Sequence, residues 1–282
     1  MPHSQRVLFS LKSFYILFFL PFFFFGVTPA QAQPAKTFAL TARSAVVVDA
    51  GSGGILYGKN PYLKLPPAST TKLMTVLVAL DKLPFEQNVA VSVYAESVSP
   101  SKAGLSSGAT YAVRDLVAAA LISSSNDAAV TLAEAAGGSE KNFADLMNEK
   151  AKSLGMNDTH FINATGLTER HKQQYSTAYD LTILMRRVMK DPRLDAIMGM
   201  TKASIRGSDG RYIILHNHNK MLWKTPKHIK GKTGWTIASK HTFVGTNYSS
   251  NKLITFAMLS SKKPWTDIER LADIGLSLKN SR

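Results

Sequence analysis

Two residues at the start of a long apolar segment have the chemistry of a nucleophile and its base. Residues 69–72 read S-T-T-K, with Ser69 and Lys72 at the two ends. Side chains three positions apart share one face of a helix, so the Lys72 amine can reach the Ser69 hydroxyl. A serine becomes a competent nucleophile when an adjacent base takes its proton, and burial or a nearby cation lowers the pKa of a lysine. The pair predicts serine acyl transfer, although S-x-x-K alone is a common pattern.

Two later segments extend this pair into a three-part pattern. Residues 124–126 read S-S-N and lie between two helical patterns, and residues 232–234 read K-T-G within a strand-like stretch. The set S-x-x-K, S-x-N and K-T-G, in this order, is typical of serine β-lactamases and penicillin-binding proteins. Each triplet alone is common, whereas all three in order and in the expected local context indicate one active site.

The chain resembles the low-molecular-mass penicillin-binding proteins of the D-alanyl-D-alanine carboxypeptidase family. The resemblance includes the three motifs and runs from about residue 42 to the C-terminus. Residues 174–181 and 217–222 also match that family's pattern. Two positions depart from it. The middle residue of the second motif is serine where the family more often has glycine, and residues 237–240 (I-A-S-K) replace a usual alanine-glycine pair, which puts the adjacent turn and the substrate preference in question.

The resemblance implies a role for each residue of the first two motifs. Ser69 is the nucleophile and Lys72 accepts its proton. Ser124 shuttles a proton to the leaving group, since a hydroxyl can donate and accept together. Asn126 holds Lys72 and the amide of the substrate. Serine and asparagine are also favoured helix caps, so a capping role at 124–126 is an alternative that is compatible with catalysis.

The third motif is expected to hold the substrate. By the same resemblance, Lys232 stabilises the catalytic hydroxyls and attracts the terminal carboxylate of the substrate, while Thr233 donates a hydrogen bond. Gly234 leaves room for the approaching substrate strand. The backbone N–H groups of Ser69 and Trp235 form the oxyanion hole. The Trp235 ring either lines the cleft or only packs against its neighbours.

The first 32 residues have the pattern of a secretory signal peptide. A basic start precedes an apolar stretch at 13–27, and a small-x-small cleavage site follows at 30–32. The alternative is an uncleaved anchor, but this stretch is shorter than the roughly 20 apolar residues that span a bilayer, and Pro21 interrupts it. We expect cleavage before Gln33, no stable membrane span afterwards, and export to the periplasm or cell-wall space.

Composition excludes several other classes of protein. The chain has 282 residues, no cysteine and a formal net charge of +15, so disulfides and thiol catalysis are excluded. The cations are dispersed and no nucleic-acid-recognition motif is present, which points to anionic wall polymers instead of nucleic acid as charged partners. His216 and His218 lie two positions apart without a carboxylate cluster, so we expect neither a metal site nor a cofactor.

The order of the predicted elements indicates one sheet assembled from both ends of the chain. Strands are predicted at 42–49, from 55, and at 229–236, 241–248 and 252–260; helices are predicted at 69–82, within 113–154, and at 177–190 and 266–278. This order favours an α/β (α+β) fold with a helical lobe inserted between the strands. The resemblance implies a five-stranded antiparallel sheet flanked by helices, of the β-lactamase/transpeptidase type.

The predicted domain organisation is simple. Residues 33–282 form one penicillin-binding peptidase domain, with a sheet lobe at about 40–65 and 195–282 and an all-helical lobe at about 66–194. No trailing β-domain or amphipathic membrane anchor is expected after the terminal helix.

The functional hypothesis is a serine-type D-alanyl-D-alanine carboxypeptidase. It would trim peptidoglycan stem peptides ending in D-Ala-D-Ala, and β-lactam antibiotics would inhibit it covalently. A D,D-endopeptidase that cuts peptidoglycan cross-links with the same residues is an open alternative. A β-lactamase is disfavoured because residues 159–167 contain no glutamate to activate water. A non-catalytic wall-binding or penicillin-sensing protein is disfavoured because the motif residues are intact.

Overall fold

The computed structural model describes residues 39–170, 173–223, 228–249 and 252–280. The signal peptide that the sequence predicts at residues 1–32 lies outside these ranges. Within them, no helix is both long enough and apolar enough to cross a bilayer.

The main sheet is antiparallel, has five strands and uses both ends of the chain, which confirms the predicted fold class. Its strand order is β2-β1-β9-β8-β7, so β7 lies at one edge. Its strands are β1 (Ser44–Asp49), β2 (Ile55–Lys59), β7 (Lys230–Thr236), β8 (Lys240–Ser249) and β9 (Lys252–Ser261). Strand β1 contains three consecutive buried valines, and β-branched residues favour the pleated conformation. The K-T-G motif lies on β7, at the open edge of the sheet.

Helices cover both faces of this sheet. The helices are α1 (Lys72–Lys82), α2 (Val93–Ser97), α3 (Val113–Ile122), α4 (Asn126–Gly137), α5 (Glu140–Ser153), α6 (Ala178–Val188), α7 (Pro192–Met198) and α8 (Pro264–Asn280). Helix α1 is apolar nearly all round and contacts α3, α4, α5 and α6. Helix α6 begins as predicted, with the Thr177 hydroxyl accepting the Asp180 N–H at 3.0 Å.

The two faces of the sheet belong to different hydrophobic clusters. Val244 of β8 packs in the large cluster around α1 and α6, whereas the preceding residue, Phe243, packs with Ile268 and Leu271 of α8. Successive side chains of a strand point to opposite faces, which explains this division. Side chains of β7 and β8 can therefore be assigned to the helical side or to the α8 side.

Asp267 holds the first turn of α8 in place. Its buried carboxylate accepts hydrogen bonds from the Thr41 N–H at 3.0 Å, the Ala42 N–H at 2.9 Å and the Ser261 hydroxyl at 2.7 Å. Hydrogen bonds to an ionised group are stronger than those between neutral groups. This carboxylate joins three separate segments and thereby positions the N-terminal end of α8.

The structure contains local features that the sequence did not predict. Besides the main sheet, the described residues form two antiparallel two-stranded ribbons. In the first, β3 (Asn88–Ala90) pairs with β4 (Thr110–Ala112); in the second, β5 (Lys202–Arg206) pairs with β6 (Tyr212–His216). Their strands have three to five residues, too short for a clear period in the sequence. A 3-10 turn, Ala68–Thr71, precedes α1, so Ser69 lies in this turn and not in the α-helix itself. The tighter turn still places residues three apart on one side.

Candidate active site

Ser69 and Lys72 meet as their spacing predicts. The Lys72 Nζ lies 3.0 Å from the Ser69 Oγ. It also donates to the backbone carbonyl of Thr165 at 2.9 Å. The Lys72 side chain is fully buried, while Ser69 is partly exposed at the floor of a cleft. The hydroxyl is therefore open to a substrate, and its hydrogen-bond partner is shielded from water.

The surroundings of Lys72 favour its neutral form. Burial lowers the pKa of Lys72 well below the ordinary value for a lysine, and the positive charge of Lys232 lowers it further. The carboxylate of Asp127 acts in the opposite direction but does not cancel these effects. A neutral amine next to a serine hydroxyl can take its proton, which is the chemistry that an acylating serine needs.

Lys232 brings the second and third motifs together. Its Nζ donates to the Ser124 Oγ at 2.8 Å and to the Thr233 carbonyl at 3.1 Å. Its side chain is buried, and burial lowers the pKa of Lys232 to about 7. Ser124 has a φ of 60°, a left-handed conformation that is uncommon for serine. The backbone at Ser124 thus departs from helical geometry at the point where its hydroxyl enters the site.

The hydrogen bonds of Ser124 and Asn126 differ from those expected. Neither residue has a hydrogen bond to Lys72 among the described contacts. Asn126 instead donates from Nδ2 to the Pro100 carbonyl at 2.5 Å, and its N–H donates to the Ser101 carbonyl at 2.7 Å. Its buried Oδ1 has no hydrogen-bond partner in the described part of the chain. Asn126 is buried and is not among the residues that line the cleft, so its expected contact with the substrate amide stays a prediction.

The structure gives Gly234 a second reason to be glycine, besides the one predicted. A side chain here was expected to block the substrate strand. In the structure, a Cβ at Gly234 would lie 2.8 Å from the Ser69 N and 3.0 Å from the Ala68 Cβ, and it would overlap the Thr242 hydroxyl. Glycine allows β7 to approach the 3-10 turn that carries the nucleophile, so its role is to fit two parts of the enzyme together.

Replacing Gly234 by alanine is expected to lower kcat/KM by about 100-fold, because a displacement of the nucleophile by about 1 Å has an effect of this size. The matched control is Gly58→Ala in β2, where a Cβ meets nothing closer than 3.4 Å. Steady-state kinetics on both variants check the expectation. Equal activities for the two variants would refute it.

The cleft has a volume of about 780 Å³ and is bounded on one side by helical segments and on the other by strands β7 and β8 of the main sheet. Ser101 and Ser124 line one wall, and Leu167 and Thr168 line another. The edge strand β7 forms a third wall, from which the Trp235 ring projects with 57% of its surface exposed. Trp235 therefore lines the cleft and is not a buried packing residue. Of the predicted site residues, five line this cleft and three are buried behind its surface; their catalytic roles remain predictions. The five are Ser69, Ser124, Thr233, Gly234 and Trp235, and the three are Lys72, Asn126 and Lys232.

His218 lines the cleft, which the match of residues 217–222 to the family pattern did not by itself predict. It lies between Asn217 and Asn219, whose Nδ2 atoms donate to the carbonyls of Met200 at 2.8 Å and Ile229 at 2.7 Å and so fix the loop. Burial lowers the pKa of His218 to about 4, and the positive charge of Lys232 adds to this effect. The imidazole is therefore neutral at physiological pH. Across the described ranges, no group of three histidines or carboxylates is arranged to hold a metal ion.

The loop that supports Lys72 was also missed by sequence reasoning. The Asn163 Oδ1 accepts from the Thr165 hydroxyl at 3.1 Å and from the Gly166 N–H at 2.8 Å, which presents the Thr165 carbonyl to Lys72. Gly166 has a φ of 83°, and a Cβ there would overlap the Ala68 carbonyl. The only signal in the sequence is an Asn and a Gly three residues apart, which is typical of any turn.

Residues 237–240 (I-A-S-K), which depart from the family's usual alanine-glycine pair, belong to a closed turn between β7 and β8. The Thr236 N–H donates to the Ser239 Oγ at 2.9 Å, and the Ser239 N–H donates to the Thr236 Oγ1 at 3.0 Å. Lys240 has a φ of 55°, a conformation that glycine adopts more readily. The two hydroxyls hold the turn beside the K-T-G strand and leave Ile237 pointing into solvent, 78% exposed.

Comparisons with known proteins agree with this geometry. The family described as D-alanyl-D-alanine carboxypeptidase (Peptidase_S11) matches residues 28–262. A D-alanyl-D-alanine carboxypeptidase of Mycobacterium tuberculosis is 33% identical, with the match covering 90% of this chain and 86% of that protein. A D-alanyl-D-alanine endopeptidase of Escherichia coli is 32% identical over 94% of this chain and 86% of that protein.

Other relatives are longer than this chain, and solved structures share its fold. A D-alanyl-D-alanine carboxypeptidase of Bacillus subtilis is 33% identical, but the match spans only 62% of its length and 84% of this chain. The crystal structure of a D-alanyl-D-alanine carboxypeptidase from Mycobacterium tuberculosis H37Rv superposes with a TM-score of 0.80 at 31% identity, covering 87% of this chain and 96% of that one.

Proposed function

Because the chain belongs to the D-alanyl-D-alanine carboxypeptidase family of serine peptidases, we propose that it removes the terminal D-alanine from peptidoglycan stem peptides. Members of this family act on D-Ala-D-Ala peptides and bind β-lactams. One observation carries the proposal: the Ser69 hydroxyl lies 3.0 Å from a fully buried amine whose pKa is lowered. Ser124 and Thr233 line the same cleft, and the buried Lys232 amine donates to the Ser124 hydroxyl, so two hydroxyls backed by an amine are available to a terminal carboxylate.

In the proposed first step, the positions of Ser69 and Lys72 allow the serine to be acylated by the substrate. The Ser69 Oγ attacks the carbonyl carbon of the penultimate D-alanine while Lys72 takes the hydroxyl proton. The negative charge that develops on the carbonyl oxygen is stabilised by the N–H groups of Ser69 and Trp235. One such donor contributes roughly 2.7–4 kcal/mol in comparable acyl-transfer sites. The close approach of Gly234 to the Ser69 N supports this pairing of N–H groups across the two segments.

The leaving group then departs and water completes the reaction. The C–N bond breaks, the proton passes through Ser124 to the departing amine, and free D-alanine leaves with its carboxylate. Contact between Lys232 and Ser124 at 2.8 Å supports a hydroxyl that is oriented for this transfer. Water then attacks the ester carbonyl while Lys72 takes a proton from it. The bond to the Ser69 Oγ breaks, this proton passes to the Ser69 Oγ, and the shortened peptide leaves as a free carboxylate.

A second candidate activity is cleavage of D-alanyl cross-links. The similarity to the Escherichia coli endopeptidase, over 94% of this chain, favours it. The two activities share the nucleophile and base. They differ in the group on the C-terminal side of the scissile bond, which is a D-alanine with a free carboxylate for the carboxypeptidase and a cross-linked residue for the endopeptidase.

The decisive measurement is product analysis with the purified protein. A carboxypeptidase releases D-alanine from a stem pentapeptide faster than it cuts a cross-linked dimer, and a fluorescent penicillin labels it through Ser69. Ser69→Ala is the control, because it removes the nucleophile and should abolish both turnover and label. A native protein that takes no label and cuts neither substrate would contradict the proposal and favour a binding role.

The proposed site of action is the periplasm or cell-wall space. Support comes from the signal-peptide pattern of residues 1–32 and from a substrate class that is located outside the cytoplasm. Without Arg6 and Lys12 of the predicted signal peptide the net charge of +15 becomes +13, which supports an additional attraction to anionic wall polymers that would concentrate the enzyme near its substrate.

A further inference from the structure

Glu140 is hydrogen-bonded to the loop that holds Lys72, although its side chain lies at a different cavity from the catalytic cleft. It is the first residue of α5 and lines a second cavity, of about 470 Å³. Its Oε1 accepts the Ala164 N–H at 3.0 Å, and its Oε2 accepts the Tyr94 hydroxyl at 2.9 Å. One carboxylate thus joins this loop to helices α5 and α2.

The backbone of Ala164 and Thr165 connects Glu140 to Lys72. Ala164 is fully buried, and its carbonyl accepts the Thr75 hydroxyl at 2.6 Å. The next carbonyl, that of Thr165, accepts from the Lys72 Nζ at 2.9 Å. Buried backbone groups need partners, and Glu140 supplies the one for the Ala164 N–H. The loop is therefore fixed to α1 by two carbonyls and to α5 by one N–H.

Tyr94 keeps the Glu140 carboxylate in this orientation. Partial burial of the hydroxyl raises the pKa of Tyr94 to about 12, and its hydrogen bond to Glu140 adds to this effect. The phenol is therefore a donor at physiological pH, and its bond to an ionised carboxylate is stronger than one between neutral groups. With one oxygen held by Tyr94, the other stays directed at the Ala164 N–H.

The Thr165 carbonyl affects both the position and the charge of Lys72. The amine lies between this carbonyl and the Ser69 Oγ, at 2.9 Å and 3.0 Å, so a shift of the carbonyl displaces the amine from the nucleophile. A displacement of about 1 Å can lower the rate by about 100-fold. A carbonyl that accepts from an ammonium also favours the charged form, because the hydrogen bond is stronger to the cation.

We propose that Glu140 is a positioning residue for acylation, which holds the Thr165 carbonyl, and with it Lys72, at hydrogen-bond distance from Ser69. The inference rests on the proposed function, in which Lys72 is the proton acceptor. The length of the Glu140 side chain, which brings an oxygen to the Ala164 N–H, is the property that matters, and its negative charge is not.

Two substitutions separate length from charge. Glu140→Asp keeps a carboxylate at the helix N-terminus, where a negative charge is favourable, but shortens the side chain by one methylene, about 1.5 Å. Glu140→Gln keeps the length, and its amide oxygen can accept the Ala164 N–H. The rate constant for labelling by a fluorescent penicillin and kcat/KM for D-alanine release should fall about 10- to 100-fold in Glu140→Asp and stay within about threefold of native in Glu140→Gln.

The pH–rate profile gives a second measurement, which a general loss of structure would not shift in the expected direction. In Glu140→Asp the Lys72 ammonium loses an acceptor, so its pKa falls and the acid limb of penicillin acylation moves to lower pH. Loss of the Lys232 charge would move it the opposite way. The limb should stay in place in Glu140→Gln. The charged groups that act on Lys72, Lys232 and Asp127, are intact in both variants.

Glu134→Ala is the matched control. This carboxylate also bonds to the start of α2, accepting the Ser92 hydroxyl at 2.6 Å, but within the described residues it has no hydrogen bond to the loop at 163–166. The variant should keep the native rate and acid limb. If Glu140→Asp does not fold, Tyr94→Phe, at an exposed position, decides the matter, since freeing the carboxylate should lower the labelling rate at least about threefold.

Three results would overturn the positioning role and leave the proposed function standing. They are a native labelling rate in Glu140→Asp, equal losses in Glu140→Asp and Glu140→Gln, and, where Glu140→Asp does not fold, a native rate in Tyr94→Phe. A native protein that takes no penicillin label and releases no D-alanine would overturn both the positioning role and the proposed function.

Discussion

Replacing Lys72 by methionine is expected to lower kcat/KM for D-alanine release roughly ten-thousand-fold, the upper end of what a general base contributes. The amine lies 3.0 Å from the Ser69 Oγ, and no other titratable side chain donates to or accepts from that hydroxyl in the described part of the chain. Methionine is apolar and of similar length, so it fills the buried space without adding a charge. Penicillin acylation, followed as the rate of covalent labelling, should fall in parallel.

The control for this variant is Lys82→Met at the other end of α1, where the lysine is exposed. It should retain native activity. The Lys72→Met variant leaves the Thr165 carbonyl without its donor, which destabilises the fold, but it also removes a buried amine, which stabilises it. We therefore expect Tm to change little. If Lys72→Met kept more than about one tenth of native kcat/KM, the assigned proton acceptor would be wrong, since even a weak general base contributes about 100-fold.

Replacing Lys232 by methionine is expected to reduce kcat/KM roughly 100- to 1000-fold, comparable to the loss of one preorganised charge-stabilising donor. The variant removes the donor to the Ser124 Oγ at 2.8 Å and the cation for the substrate carboxylate. It also removes a positive charge that lowers the pKa of Lys72. The pKa of Lys72 should therefore rise, and the acid limb of the pH–rate profile should move to higher pH.

The pH–rate profile separates this electrostatic effect from simple loss of binding. Lys72 must be neutral to accept a proton, so activity in the native enzyme rises as pH passes upward through its lowered pKa. Acylation by a penicillin, measured from pH 5 to pH 9, gives the position of that limb. An unshifted limb in Lys232→Met would show that the two amines are not coupled. Lys202→Met, an exposed lysine on the β5–β6 ribbon, is the control.

Lys232 should also make stability depend on pH. Burial lowers its pKa from 10.5 to about 7, so between these values the unfolded chain binds more protons than the folded one. The contribution of Lys232 to the free energy of unfolding therefore rises as pH increases from about 7 towards 10. This gain in stability is lost when the pH falls to about 7. Urea unfolding at pH 7 and pH 9 should show a smaller rise for Lys232→Met than for the native protein.

Local spacing was sufficient to predict the elements that carry the catalytic motifs. Ser69 and Lys72 meet at 3.0 Å because residues three apart share a face in a 3-10 turn or an α-helix. Strand β1 was predictable because its run of β-branched residues favours a pleated conformation. The ribbons β3–β4 and β5–β6 were not predictable in the same way, since their short strands lack a clear period.

Contacts between remote segments could not be derived from spacing. Asn126 was expected to hold Lys72, yet it bonds to Pro100 and Ser101, and the Thr165 carbonyl holds the lysine instead. A backbone carbonyl is present at every residue, so no residue type marks the one that will be used. Gly234 was recognised, but the close approach of its backbone to the nucleophile turn was not predictable from the sequence.

The amino-acid sequence by itself determined which reactive groups this protein has, their order, and the local pairing of hydroxyl and amine, because the repeat of a helical turn acts over a few residues. Only the tertiary structure decided the charge states and partners of those groups. The neutral form of Lys72 and the bond between Lys232 and Ser124 require β7, the nucleophile turn and the segment that carries Ser124 to pack together. Desolvation depends on this packing, since an amine loses its water only when several distant segments enclose it.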